Sequence, residues 1–149
     1  MNTRMIKPYV LAGVAGAVAV VALTMLIYGT FFQNLLEQFQ EISPEVEKAI
    51  TRDNVNFVAF IFANLAHGFL IATVVRWGRF FTPLSGACAA AVVAFLTEAY
   101  FLFTQYAIFK TMSLPSAILD TAMWTFINVF VGALAAWIFA TSMKKEVNA

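Results

Sequence analysis

The sequence predicts an all-α membrane protein, a four-transmembrane-helix bundle with a short amphipathic, acidic helical loop between the first and second helices. Three observations carry that expectation. Of the 149 residues, 62% are hydrophobic and 11% are charged, whereas a soluble domain has about a quarter of its residues charged. A chain this short buries the smallest fraction of its surface on folding, so so much apolar surface calls for lipid as its solvent. Four apolar stretches, roughly 9–32, 55–77, 83–106 and 117–141, each reach the ~20 residues that a helix needs to cross a hydrocarbon core. None alternates as a barrel strand would, and a helix satisfies its own backbone polar groups in lipid. Residues 1–149 read as a single membrane domain.

Span one follows Arg4, Lys7 and Pro8 and runs from Tyr9 to about Phe32. That is longer than the roughly 7–15 apolar residues of a signal-peptide core, so the segment reads as an uncleaved anchor. The loop 33–54 sets Glu37, Glu41, Glu45, Glu47 and Asp53 against Lys48 and Arg52. Leu35, Leu36, Phe39 and Ile42 recur at helical spacing, extending span one by an amphipathic turn or two. "SPEVEKAI" then reads as a new helix, with Ser43 as cap, Pro44 in the first position and two glutamates favoured by the helix dipole. These carboxylates lack the spacing of a calcium loop. Span two begins at Val55. Thr82 and Pro83 read as N-cap and first residue of span three, and Ser113 or Ser116 caps span four.

Helices in lipid associate through close backbone approach and polar contacts. Small residues lie four apart in span one (Gly13/Ala17, Ala12/Gly16, Ala15/Ala19), open span three (Gly86, Ala87, Ala90, Ala91, Ala94) and recur in span four (Gly132, Ala133, Ala135, Ala136). All fall in one half of the bilayer, which predicts tight packing there and a phenylalanine-rich opposite half. The stripes serve packing within the bundle or, for span one, a homodimer. Cys88, in the small stretch of span three, reads as a small buried residue.

Six of the nine basic residues (Arg4, Lys7, Arg76, Arg79, Lys144, Lys145) lie on one side of the predicted topology. The positive-inside rule then places both termini in the cytoplasm. A net charge of +1 with scattered lysines and arginines argues against nucleic acid as a partner. One cysteine and one histidine exclude an intramolecular disulfide and a bis-histidine haem within the chain. The sequence holds no nucleophile elbow, zincin motif or phosphate-binding loop, so no catalytic residue, metal or cofactor is assigned and a non-enzymatic role is expected.

The candidate functional residues are the polar ones at membrane depth. With each span centred and 1.5 Å of rise per residue, Asn64, His67, Glu98 and Asn128 fall within about one turn of the midplane. A lone carboxylate there costs about 2.5–3.5 kcal/mol on insertion scales. Glu98 should therefore be neutral, paired or in a wet cavity, and His67, roughly 6 Å away in depth, is its natural partner. Thr24, Tyr28, Gln105 and Asp120 are secondary polar positions, and Asp120 with Trp124 one turn on reads as an interfacial cap and anchor. The midplane cluster is either structural glue, a proton or ion path, or a ligand site.

The run "GFLIATVVRWGRFFTPLSGACAAAVVAFL", a span ending in a basic aromatic turn before a small-residue span, and the closing "DTAMWTFINVFVGALAAWIF" with Gly132 resemble a loose group of small bacterial four-span membrane proteins. That resemblance implies a place in the bacterial cytoplasmic (inner) membrane and carries no catalytic residues. The functional expectation is an accessory, assembly or small-ligand-binding membrane protein acting with a membrane-protein partner or as a homo-oligomer. The alternative is proton- or ion-coupled transport through the midplane cluster in an oligomer.

Overall fold

A computed structural model describes residues 6–32 and 43–147. Helix α1 spans Ile6–Ile27 and continues as a π-helical turn, Tyr28–Phe32. It is followed by α2 (Pro44–Ile50), α3 (Phe57–Trp77), α4 (Pro83–Ile108) and α5 (Leu114–Val147). Four of these, α1, α3, α4 and α5, are long and apolar enough to cross a membrane, and no strand occurs among the described residues. The amphipathic extension expected at Leu35, Leu36, Phe39 and Ile42, together with Glu37 and Glu41, lies outside the described residues.

Side-chain caps set the helix starts. Ser43 Oγ accepts from Val46 N at 3.4 Å at the head of α2. Helix α3 begins two residues later than hydropathy predicts, because Asn56 Oδ1 accepts from Ala59 N at 3.1 Å and fixes the N-cap there. At α4, Thr82 and Ser85 form a reciprocal capping box, each side chain accepting from the other's backbone N–H at 3.2 Å, with Pro83 in the first turn. Of the two serines that could cap α5, Ser113 does so, accepting from Ser116 N at 3.2 Å.

The turn between α3 and α4 is a Schellman motif. Phe80 N–H donates to Val75 O at 2.9 Å and Arg79 N–H to Arg76 O at 3.2 Å. The left-handed position of that motif usually holds glycine, yet here Gly78 sits one residue early in right-handed geometry and Arg79 takes φ 54°.

The helices converge at the end that carries this turn and splay at the end that carries α2. In α3 the buried residues are Gly68, Ile71, Ala72 and Val75, all in the second half, while residues 57–63 are all exposed. In α1 the buried residues run from Pro8 to Val20 and then stop. Helix α5 packs against α1, α3 and α4, whereas α4 leans mainly on α5 and meets α3 lightly. The core between them is built on Val20, Ile71, Val75, Ile127, Val131 and Phe139.

Glycine makes the convergence physically attainable. A Cβ at Gly68 would run into Gly13 O and lie 2.6 Å from Ala17 N, so α1 and α3 touch backbone to backbone. Gly86 and Gly132 do the same for α4 and α5, each facing the other's carbonyl. With lipid tails as apolar as the side chains, such approach is what van der Waals association requires. The span-one stripe is thus occupied within the chain: Ala12, Gly13, Gly16 and Ala17 are all buried. Cys88 departs from expectation. It is exposed, because Gly86, Ala87 and Ala90 point α4 toward α5 and the ~100° step per residue turns position 88 outward.

Candidate functional site: a polar-faced cavity between the splayed helices

The splay leaves a cavity of about 630 Å³, within the roughly 300–1,000 Å³ range of small-molecule sites. Helix α1 contributes Val20, Val21, Thr24, Met25, Tyr28 and Gly29, and α3 contributes Phe60, Ala63, Asn64 and His67. Glu98 enters from α4 and Trp124 from α5. The walls are mainly apolar, and Met25 and Phe60 at the rim are exposed to the surroundings of the bundle. A second cavity of about 420 Å³ shares Val21, Met25, Phe60 and Asn64 and has almost no polar surface.

The fixed point of the site is His67. Its Nε2 lies 2.7 Å from Asn128 Oδ1, and the Asn128 side chain is fully buried. Asn128 Nδ2 donates to Trp124 O at 2.9 Å. A carbonyl can only accept, so the amide nitrogen must face Trp124 and the amide oxygen must face the imidazole. His67 Nε2 therefore carries the proton of that hydrogen bond. The Trp124 ring, 6.0 Å from the imidazole centroid at 58°, closes the same wall. Trp124 is thus an interior residue as well as a neighbour of the helix start.

Tyr28, on the π-helical turn, donates to Asp120 Oδ1 at 2.9 Å and so ties the splayed end of α1 to the start of α5. The sequence placed both residues on the list of secondary polar positions without pairing them. At the opposite end of the bundle, Tyr9 OH and Thr73 Oγ1 lie 2.9 Å apart, and the Arg76 guanidinium sits 5.4 Å above the Tyr9 ring.

Hydroxyls in these spans mostly satisfy themselves on their own helix. Thr73, Thr97, Thr121, Thr125 and Thr141 each donate to the carbonyl four residues back. Asn64 does likewise with its amide, donating to Phe60 O at 2.8 Å. Thr24 breaks the pattern. Its hydroxyl is buried at the cavity wall and, among the described residues, is the one buried side-chain polar atom without a hydrogen-bond partner.

The structure therefore brings Asn64, His67 and Glu98 to one cavity and couples Asn128 to it through His67. Glu98 is half-buried and shares that cavity with His67, but the hydrogen bond of the imidazole goes to Asn128. Gln105 is partly buried on α4, away from the lining residues. Residues that sequence reasoning did not place in the site are Met25, Phe60 and Trp124, whose only signal was their apolar or aromatic character. Among the described residues no group of three or more histidine, cysteine, aspartate or glutamate side chains converges as a metal site would require. Compared with protein-family models, curated proteins and solved structures, the chain matches none.

Proposed function

We propose that the protein is a multi-pass membrane protein of the bacterial cytoplasmic membrane, both termini cytoplasmic, that binds a small lipid-soluble ligand and performs no catalysis itself. The observation that carries the reading is the cavity: a mostly apolar chamber into which Thr24, His67 and Glu98 converge from three different helices. Apolar pockets with a few convergent polar groups are the usual form of a small-molecule site, and a polar residue facing a membrane interior is a functional candidate by default. Such a protein acts as an accessory or assembly factor, alone as a homo-oligomer or with a membrane-protein partner.

The test is native mass spectrometry of the protein released from membranes, followed by identification of co-released small molecules. A stoichiometric adduct that is lost in Ala63→Phe, which fills the cavity, is the expected outcome. Protein that carries no adduct and takes up none from a total lipid extract would remove the reading. A second reading, proton- or ion-coupled transport, is favoured by the carboxylate and imidazole on one cavity. Its expected signature is a pH-gradient-driven flux in proteoliposomes that disappears in His67→Ala.

A further inference from the structure

Among the described residues that line the cavity, the one acidic side chain is Glu98. Glu98 offers two carboxylate oxygens. His67 has committed its Nε2 proton to Asn128. Asn64 donates one amide hydrogen to Phe60 O and keeps Oδ1 and its second amide hydrogen. The Thr24 hydroxyl is buried without a partner and can accept as well as donate. Among the described residues no lysine or arginine lines the cavity, so the side chains that most strongly hold phosphates and carboxylates are not in its wall. Phe60, Trp124 and Tyr28 supply aromatic surface on three sides, and the negative faces of such rings attract cations.

We infer that the cavity between α1, α3 and α4 binds a lipophilic cation, an amine or quaternary ammonium carried on an apolar body, with its charge against Glu98 and the aromatic walls. This rests on the ligand-binding reading of the same cavity and narrows it to one chemical class. The apolar body fits Val20, Val21 and Met25 and leaves through the exposed rim.

The experiment is equilibrium binding to the protein in phosphatidylcholine nanodiscs, with empty nanodiscs subtracted. The probes are tetraphenylphosphonium and tetraphenylborate, which match in size and shape and differ in the sign of their charge. The expected result is saturable binding of the cation alone, weakened about tenfold or more in Glu98→Gln, as removal of one partner of a buried charge pair does. Ala63→Phe, which blocks the chamber and leaves every polar group in place, should abolish binding. Equal binding of both ions, cation binding unchanged in Glu98→Gln, or no saturable cation binding would each overturn the inference. If the cation fails while a neutral adduct is still released from the wild type and not from Ala63→Phe, the ligand-binding reading stands without its charge class. If no adduct is found either, both fall.

Discussion

The Nε2 of His67 donates to Asn128 because the Asn128 amide is held from behind by its own helix. That arrangement predicts a coupling measurable by a double-mutant cycle. His67→Ala and Asn128→Ala should each destabilise the bundle, and the double variant should cost less than their sum by about 0.6–1.7 kcal/mol, the span found for side-chain hydrogen bonds inside membranes. Reversible unfolding in mixed micelles reads it, and strict additivity would contradict the bond. The same cycle between His67 and Glu98 should show a smaller coupling, because no hydrogen bond joins them among the described residues. Tyr28→Phe should cost about 1.5–3 kcal/mol by the same measurement if Asp120 is ionised, the worth of a hydrogen bond to a charged group. That these residues lie at a similar level of the bundle was legible in the sequence, since rise per residue converts directly into position along each helix. Their partners were not. Spans that are apolar on every side carry no face signal, so the rotation that aims His67 at Asn128, and leaves Glu98 beside it, is set by packing alone.

At the scale of the helix, what could be read was small residues and caps, because both are local. Of the small-residue stripes, Gly13, Gly16 and Ala17 of α1, Gly86 and Ala90 of α4 and Gly132 and Ala136 of α5 are buried, while Ala15, Ala19, Ala91 and Ala133 are only partly so, and Thr82 and Ser43 cap as their side chains dictate. Gly132→Leu should separate α4 from α5 at a cost of about 1–3 kcal/mol or more, the range for an overpacked core, and should lower the thermal midpoint in detergent. Gly29, where an added Cβ meets nothing within 4 Å, is the matched control and should tolerate alanine. The features that escaped were those where one residue competes with its neighbour. Asn56 stops α3 short of Val55, and Arg79 rather than Gly78 takes the left-handed turn position. A non-glycine residue there carries about 1–2 kcal/mol of strain, so Arg79→Gly should leave stability unchanged or slightly raised in the same unfolding assay.

For the whole molecule, one end of the bundle is welded by glycine and alanine and the other is held open, and function is proposed for the open end. The proposed orientation puts the welded end, with Arg76 and Arg79, on the cytoplasmic side. Reporters fused at the C-terminus should be active only there, and an extracytoplasmic signal would invert the topology. The sequence anticipated the imbalance, small residues in one half and phenylalanines in the other, without showing that it would become a chamber. That outcome depends on α5, which packs on all three other long helices and is the last of the four to leave the ribosome. While it is still being synthesised, α1 can already pair with α3 through Gly13, Ala17 and Gly68, but His67 has no Asn128, Tyr28 has no Asp120, and α4 has no glycine to close on. A half-made chain therefore holds His67 without the amide it meets in the finished bundle.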